Sequence, residues 1–430
     1  MAIRYRLVEH TIATDSKEIR YIKKRCRKAF REKMCFYICR IFPIKKNLIS
    51  VCTFEGKGGF GCNAKPLVEK LHEMRPDYEF VWFVNDMNKE FPEYIKKVPN
   101  TLWSRAYWLT RSKVWIDNYR KPFGTVKRKR QYYVNTWHAN MGFKNIGLWR
   151  KEALSRMAYL VSKNDSDMID DIVVDSECIA DYFGKGLIYN GSYIMSGQPR
   201  CDVLFENRAE IRKRYRNKQG IPLDAKIVMF APTFREGAKD GIRYVFSKTW
   251  TVDFNRMLNN FEKKFGGIWY LCIRVHPQLA DAVDEYKDAT LNGKIINASK
   301  DDDMYEVLAA MDAYVTDYSS AAFDAMRCRM PVFIYADDIE QYTNDRGSLI
   351  WTLSSNTNKK VYMNQNVTRY NTELPFPIAK NNDELEDRII LFNIDTYRQK
   401  IQDMECCLEY VKGGKASETV AKKIVTKMNE

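Results

Sequence analysis

Short apolar runs alternate with helical patterns along this chain in two series, separated by a polar stretch at residues 207–224 that reads as a linker. The first series opens with a strand at residues 48–53 and includes a helix predicted over residues 165–174; the second opens with a strand at residues 227–230. Alternation at this spacing predicts parallel sheets with helices on both faces. A chain of 430 residues has room for two or three such domains. We therefore expect an α/β fold with two Rossmann-like domains that face a cleft.

These patterns divide the chain into four segments. Residues 1–46 form a basic amphipathic segment, and residues 47–206 form an N-terminal Rossmann-like domain. Residues 207–395 form a second Rossmann-like domain, and residues 396–430 are predicted as helices that pack back on the body.

The start of the chain is strongly basic. Residues 1–46 carry 14 Lys or Arg against 4 Asp or Glu, and residues 111–130 carry 8 against 1, whereas the remainder is near neutral. Residues 16–42 predict one helix with an apolar stripe and a basic face, which can lie on an anionic bilayer surface. The alternative is a solvated helix that packs on the body with its charges outward. A basic run at residues 127–130 would extend the same patch if it lies on that side of the molecule.

Composition narrows the class of protein. The uneven charge argues against nucleic-acid binding, which favours a protein that is basic throughout. No run approaches the roughly 20 apolar residues of a membrane span. The first residues do not have the pattern of a signal peptide. The chain has 11 cysteines and no CxxC pair, which predicts that the thiols are reduced. We expect a cytoplasmic protein that is peripheral on the inner face of the cell membrane, held to the anionic surface through residues 1–46.

Residues 312–324 contain the clearest ligand-binding pattern. A buried strand over residues 313–316 stops at Asp317, and a helix is predicted to open at Ser319 or Ser320. Hydroxyl side chains can cap a helix start, and the same free N–H groups can instead hold a phosphate. Open α/β sheets place ligands at the carboxyl ends of their strands. The segment therefore predicts a phosphorylated ligand, with a nucleotide as the leading candidate.

Two of the four histidines follow predicted strands, one in each domain. His138 ends the run Tyr-Tyr-Val-Asn-Thr-Trp-His, and His276 ends Leu-Cys-Ile-Arg-Val-His. A lone histidine at a strand end is usually structural, but two that face one cleft favour proton transfer, for which imidazole is well suited near neutral pH. The glycine-rich residues 55–61 also follow a strand; they are either a flexible turn or a place where a phosphate or acceptor approaches the backbone.

Several motifs, in order, resemble those of the CDP-glycerol glycerophosphotransferases, the teichoic acid primases and polymerases. Residues 136–147 resemble TWHGxxxKxxG, and residues 316–324 match TDYSSxxFD. Further matches are residues 197–202 (GxPRxD), 230–235 (YAPTWR), 274–277 (RxHP), Tyr342 with residues 346–347, and residues 414–418. The resemblance covers residues 48 to 425, nearly the whole chain.

The resemblance implies a GT-B fold in which the C-terminal domain binds CDP-glycerol or a related CDP-alditol and the N-terminal domain receives the acceptor. His138 and His276 are the implied catalytic residues: His138 as the general base or another catalytic residue on the acceptor side, and His276 as the residue that contacts or stabilises the pyrophosphate. Ser319 and Ser320 would hold phosphate oxygens. The other implied substrate-binding residues are Thr316, Asp317, Arg235, Arg274 and Arg346.

The implied reaction is attack of an acceptor hydroxyl on the β-phosphorus, with release of CMP. No acidic metal-binding cluster is apparent, since the aspartates at residues 301–303 fit a helix cap, so we predict a metal-independent reaction without a cofactor. The implied acceptor is a lipid-linked glycan or polymer of the wall or capsule. Ala139 stands where the family has glycine, and Asn-Met-Gly follows it in place of the commoner Thr-Pro-Leu, which leaves glycerol, ribitol and other alditols open. The sequence also leaves open whether one unit or many are added, that is, primase against polymerase. Ser348 after Arg346 and Gly347 is a second departure. The same-fold alternative is a glycosyltransferase that uses a nucleotide sugar.

Overall fold

The computed structural model describes residues 16–233, 235–239, 242–246, 250–275, 279–284, 291, 293–301, 303–347, 349–351, 353 and 372–430. Within these residues, the N-terminal half builds a parallel sheet of order β3-β2-β1-β4-β5-β6-β7. Its strands are β1 (Lys45–Cys52), β2 (Glu79–Val84), β3 (Ile95–Pro99), β4 (Ser112–Asp117), β5 (Tyr132–Asn135), β6 (Asp171–Val174) and β7 (Ser192–Met195). The order reverses between β1 and β4, so the loops after these strands diverge and open a crevice.

Helices cover both faces of this sheet, because its central strands are apolar on both sides and have to be buried twice. Ile49 and Val51 of β1 are fully buried, as are Trp82 and Trp115 on the neighbouring strands. The helices of this half are α1 (Ser16–Ile38), α2 (Ala64–Met74), α3 (Leu102–Arg111), α4 (Arg156–Ser166) and α5 (Glu177–Leu187).

The C-terminal half repeats the same topology. Its parallel sheet has the order β12-β11-β8-β13-β14-β15, which reverses between β8 and β13. The strands are β8 (Lys226–Phe230), β11 (Trp269–Ile273), β12 (Ile295–Asn297), β13 (Ala313–Thr316), β14 (Val332–Tyr335) and β15 (Ile378–Ala379), with a separate hairpin of β9 (Arg235–Lys239) and β10 (Ile242–Phe246). The helices are α6 (Arg208–Gln219), α7 (Phe254–Phe265), α8 (Ala280–Asp284), α9 (Met304–Ala309), α10 (Ala321–Arg327), α11 (Ile339–Arg346), α12 (Asn382–Ile390), α13 (Ile394–Cys407) and α14 (Ala416–Asn429).

Two local predictions were wrong. Residues 165–174 are not one helix: α4 ends at Ser166, and Asp171–Val174 is the buried strand β6. The run Ile-Val-Val in β6 is β-branched, and β6 pairs with β5 on one side and with β7 on the other. Because β-branched residues favour strands in this environment, the segment is a strand and not the predicted helix.

The polar stretch at residues 207–224 is not a linker, because it contains helix α6. Arg208 and Arg216 turn inward, whereas Arg214 is exposed. Arg208 donates to the carbonyl oxygens of Ala309 and Met311 (3.1 and 2.7 Å), and Arg216 pairs with Asp312 (2.6 Å). These cations stabilise the carbonyl end of α9, where basic groups are favoured. The polar residues of this stretch therefore belong to a helix that packs on the second half through the hydrogen bonds and the ion pair of its arginines.

The N-terminal helix α1 uses its apolar residues in two ways. Ala29 packs with Phe123 and Met157 of the body, and Phe36 is buried in the main core. Phe30 is 63% exposed, and Met34, Tyr37 and Ile38 are also exposed. The single stripe expected from the sequence therefore divides into a buried set and an exposed set. None of the helices among the described residues is long and apolar enough to cross a bilayer.

The last helix returns to the first half of the molecule. Val420, Ala421 and Ile424 of α14 are fully buried in the cluster that covers one face of the first sheet. Asp202 fixes the start of this helix by accepting hydrogen bonds from the N–H groups of Ala416 (3.0 Å) and Ser417 (2.7 Å). The four-segment boundaries drawn from the sequence stay a prediction; the division at residue 207 falls between the two sheets.

Candidate active site between the two sheets

His138 lies just beyond the carboxyl end of β5, with its ring held in one orientation. Its Nδ1 is 2.9 Å from the carbonyl oxygen of Asn118, which can only accept, so Nδ1 carries the proton and Nε2 carries the lone pair. The ring lies against Trp137 and Tyr119, with centroids 4.7 and 5.3 Å away. Burial is the main cause that lowers the pKa of His138 to about 4, and nearby cations such as Arg200 lower it further. The imidazole is therefore neutral at pH 7 and able to accept a proton.

The backbone around His138 is strained. Trp137, Phe54 and Glu55 have φ values of 51, 47 and 56°, in the left-handed region that non-glycine residues rarely adopt. Side-chain amides hold these residues: Asn63 Nδ2 donates to the carbonyl oxygen of Trp137 (3.0 Å), and Asn118 Oδ1 accepts from the N–H of Phe54 (2.8 Å). Local strain of this kind is common at functional sites. Sequence reasoning missed both asparagines, whose only signal was their place just after a strand or just before a helix.

In the other half, Ser319 and Ser320 follow β13 next to the point where the strand order reverses. Helix α10 begins at Ala321, one residue later than the latest predicted start. The Oγ of Ser319 accepts from the N–H of Ala321 (3.3 Å), whereas the side chain of Ser320 does not cap the helix. The two hydroxyls therefore lie at the strand end where the sequence placed them, and their contact with a phosphate stays a prediction.

Thr316, Asp317 and Arg235 tie neighbouring loops together. Asp317 accepts from the N–H and the hydroxyl of Thr233 (2.8 and 2.6 Å) and pairs with Arg235 (3.0 Å). Arg235 also pairs with Asp338 (2.9 Å), and Thr316 Oγ1 donates to the carbonyl oxygen of Ala231 (2.7 Å). These contacts join the loop after β8 to the loop after β13. Direct contact of these three residues with substrate stays a prediction.

The remaining predicted residues lie around the end of β11 and at α11. Arg274 donates to the carbonyl oxygens of Ala298 and Asp301, the latter at 2.8 Å, and burial lowers its pKa. His276 lies outside the described residues. The backbone of Arg346 ends α11, and its side chain is likewise outside the described part.

The loop after His138 lies directly on the second half. The carbonyl oxygen of Gly142 accepts from Trp351 Nε1 (3.0 Å), and that of Phe143 accepts from the N–H of Ile350 (2.7 Å). A Cβ atom at Gly142 would lie 3.2 Å from the Cβ of Ser320, so this glycine permits close approach. The structure thus brings the His138 loop and the Ser319–Ser320 strand end together.

A buried ion pair lies beneath this contact. Arg200 Nη2 is 2.9 Å from Asp324 Oδ2, and the two side chains are 1% and 4% exposed. Tyr305 donates to the same carboxylate, and the N–H of Arg200 donates to Asn63 Oδ1 (3.1 Å). The GxPRxD and TDYSSxxFD motifs therefore meet in one network that also reaches the strained backbone beside His138. Sequence reasoning did not predict this pair.

Among the residues that the structure describes, no group of three or more His, Cys, Asp or Glu side chains is arranged to hold a metal ion. Metal independence of the reaction stays a prediction.

The two parallel sheets share one strand order, and they meet where His138 is held as a proton acceptor next to the strand end that carries Ser319 and Ser320. This arrangement defines a GT-B-like transferase. The chain belongs to the CDP-Glycerol:Poly(glycerophosphate) glycerophosphotransferase family, which it matches over residues 33–426. The family and the fold class expected from the sequence are thereby confirmed.

Curated relatives agree with this assignment. The chain is 24% identical to the teichoic acid poly(glycerol phosphate) polymerase of Bacillus subtilis over 90% of its own length, and it spans half of that protein. It is 28% identical to a teichoic acid glycerol-phosphate transferase of Staphylococcus aureus, over 80% of this chain and 83% of that protein. It is 24% identical to a poly(ribitol-phosphate) polymerase of Bacillus spizizenii, over 96% and 61% of the two chains.

The solved structure of the wall teichoic acid polymerase TagF has the same fold. Its TM-score to this chain is 0.71 at 22% identity, over 97% of this chain and 99% of that chain.

Proposed function

We propose that this chain transfers glycerol phosphate, or a related alditol phosphate, from a CDP-alditol to a hydroxyl of a membrane-linked wall or capsule polymer, with release of CMP. The observation that carries the proposal is His138: a neutral imidazole with Nδ1 bound to the Asn118 carbonyl, in a loop that lies on Ser320. Family membership supports the donor class, and TagF has been solved after a soak with CDPG.

The residues suggest how the reaction proceeds. The acceptor hydroxyl gives its proton to Nε2 of His138 as its oxygen attacks the β-phosphorus. The bond between the β-phosphorus and the bridging oxygen breaks, and its electron pair leaves on CMP. Ser319 and Ser320 would hold oxygens of the transferring phosphoryl group, and His276 would contact the pyrophosphate, because fixed donors stabilise the charge that develops there.

The decisive experiment is incubation of the protein with CDP-glycerol, CDP-ribitol or a nucleotide sugar, each with a lipid-linked acceptor. We expect CMP release and acceptor extension with a CDP-alditol. Activity only with the nucleotide sugar, with release of a nucleoside diphosphate, would contradict the proposal and support the glycosyltransferase alternative.

We also propose that the protein lies on the cytoplasmic face of the membrane through the end of α1. The apolar residues exposed there are Phe30, Met34, Tyr37, Ile38, Ile41 and Phe42. The basic run at residues 127–130 lies beside them, because Arg128 donates to the carbonyl oxygen of Phe42 (2.8 Å) and Arg40 to that of Lys127 (3.4 Å). Exposed apolar groups next to clustered cations are typical of surfaces that bind anionic lipid.

Substitution of Phe30 and Ile41 by serine should weaken binding to vesicles that contain anionic lipid by about tenfold or more, because each side chain loses apolar area that the bilayer would bury. Both are largely exposed, at 63% and 76%, so the fold should be unaffected. Vesicle co-sedimentation measures the effect, and Leu391→Ser, at a residue that is 73% exposed in the other half, is the matched control. Unchanged binding of the double variant would leave α1 as a packing element.

A further inference from the structure

Gln198 is connected by hydrogen bonds to the chain on both sides of His138. Its Oε1 accepts from Nδ2 of Asn63, and the same nitrogen donates to the carbonyl oxygen of Trp137 (3.0 Å), the residue before His138. Its Nε2 donates to Oδ1 of Asn140 (3.0 Å), two residues after His138. The side chains of Asn63, Gln198 and Asn140 are buried, at 0%, 2% and 6% exposed. We call these three residues the amide clamp.

Backbone groups fix which way the amides of the clamp point. Nε2 of Gln198 also donates to the carbonyl oxygen of Val173 (3.2 Å), which can only accept, so its Oε1 faces Asn63. Oδ1 of Asn63 accepts from the N–H of Arg200 (3.1 Å), which can only donate. With either amide reversed, two donors or two acceptors would face each other in a buried place, where unpaired polar groups are destabilising. The clamp therefore has one arrangement.

The clamp is attached to the first sheet. Val173 is a fully buried residue of β6, and the N–H of Gly197 donates to the carbonyl oxygen of Val174 in the same strand (3.0 Å). Pro199, directly after Gln198, begins a short 3-10 helix. The side chain of Gln198 and the backbone next to it are thus both held by the sheet, which makes this residue a rigid support for the His138 loop.

The backbone that the clamp holds is strained. Trp137 has a φ of 51°, and such a conformation of a non-glycine residue persists only where neighbouring groups hold it. The hydrogen bond from Nδ1 of His138 to the Asn118 carbonyl sets the tautomer, but the direction of Nε2 also depends on the backbone that carries the ring. The clamp holds this chain at Trp137 and at Asn140, on both sides of the proposed base.

We propose that Gln198 is a positioning residue for His138. By holding the Trp137 carbonyl through Asn63 and by holding Asn140 directly, it keeps the imidazole beside the ring of Trp137 (centroids 4.7 Å apart), with Nε2 directed at the acceptor hydroxyl. The inference rests on the proposed function, in which His138 is the base, and deepens it. Gln198 is the unspecified position of the GxPRxD motif, so the motif match assigns it no role.

Release of the clamp should change how His138 titrates. Burial is the main cause that holds its pKa at about 4; Arg200, Arg120 and Lys144 lower it as well, and the hydrogen bond to Asn118 raises it. When the loop relaxes, water reaches the ring, and the pKa should rise toward the usual value of about 6.5. The single tautomer should also be lost, because water offers a partner to either ring nitrogen.

The first test follows the histidines by NMR in full-length protein labelled with nitrogen-15 at the imidazoles. The chain has four histidines, so comparison with His138→Ala identifies the signal of His138. In the wild type we expect a neutral ring with Nδ1 protonated down to about pH 5, since burial holds the pKa low. In Gln198→Met we expect a pKa nearer to about 6.5 than to about 4, and a mixture of tautomers. An unchanged titration in folded Gln198→Met would overturn the inference.

Gln131→Met is the matched control. Gln131 is also a buried glutamine, just before β5 at the end opposite to His138; it donates to the Ser112 carbonyl oxygen and accepts from the N–H of Arg128 (2.8 Å). Its loss also leaves buried backbone groups unpaired, so it should destabilise the fold as Gln198→Met does and leave the titration of His138 unchanged. An equal change in both variants would reduce the effect of Gln198 to general stability and overturn the inference.

Asn140→Ala keeps the test decisive if Gln198→Met does not fold, because it removes only the contact after His138. It should shift the titration of His138 in the same direction by a smaller amount, and no shift would overturn the inference.

Turnover gives the last measurement. In Gln198→Met, kcat should fall by about tenfold or more, as for a misplaced catalytic group, and the acid limb of kcat/KM should move from about pH 4 toward about 6.5. A fall in kcat with the acid limb unmoved would make the role of Gln198 structural and overturn the inference. Failure of the wild-type protein to release CMP from any CDP-alditol would contradict the proposed function only, because the NMR titration does not depend on turnover.

Discussion

Replacement of His138 by alanine should lower turnover by about two to four orders of magnitude, the usual contribution of a positioned general base. The fold should survive, because the polar partner that the ring leaves behind is a neutral backbone carbonyl and not a buried charge. CMP release measures the rate, and circular dichroism checks the fold. His72→Ala is the control, since His72 stacks on Tyr94 in the same half of the molecule without contact to the site. Turnover at the wild-type rate in His138→Ala would remove this residue from the mechanism.

The pH dependence gives a second check on the same residue. The base acts in its neutral form, and burial holds the pKa of His138 at about 4. We therefore expect kcat/KM to stay constant as the pH falls through about 6.5, the usual pKa of histidine, because the imidazole remains neutral there. It should decline only as the pH approaches about 4, where the imidazole becomes protonated. A decline centred near the usual value, in protein that is still folded, would contradict the assignment.

The sequence was sufficient for the general architecture, because parallel strands buried on both faces leave continuous apolar runs. The sequence pattern was less informative for the edge strands of the first sheet. β3 alternates buried Ile95 and Val98 with exposed lysine and proline, and β7 is a short strand that begins at the exposed Ser192. Edge strands are often short and charged, so they carry little of the signal that identifies central strands.

For the site, the sequence predicted the loops and left the roles of their residues open. His138 and Ser319 lie at strand ends, as the motifs indicated. Asp317 and Arg235 are polar residues of the same motifs, yet they bind each other at 3.0 Å. A polar side chain at a strand end can hold a neighbouring loop or a ligand, and only the geometry distinguishes the two. The Asn118 contact with His138 joins residues 20 positions apart and has no local pattern at all.

Replacement of Asp324 by alanine should destabilise the protein by about 3–5 kcal/mol, the usual result of leaving one member of a buried ion pair uncompensated. Arg200 would keep its charge in a site where its side chain is 1% exposed, and Tyr305 would lose an acceptor. Thermal and denaturant unfolding measure the loss. Asp383→Ala is the matched control, because Asp383 pairs with Arg256 while 85% exposed, and exposed pairs contribute about 0–1 kcal/mol.

A double variant tests the cause. Arg200→Met combined with Asp324→Leu removes both charges, so it should recover much of the stability that Asp324→Ala loses, since apolar replacements of buried pairs are often neutral. It should not recover activity to the same extent, because Asn63 joins Arg200 to the Trp137 backbone beside His138, and Asp324 lies in the helix that follows Ser320. If Asp324→Ala were no more destabilising than Asp383→Ala, the pair would contribute nothing to joining the two halves. Stability regained with turnover still reduced would instead show that the pair also positions the base.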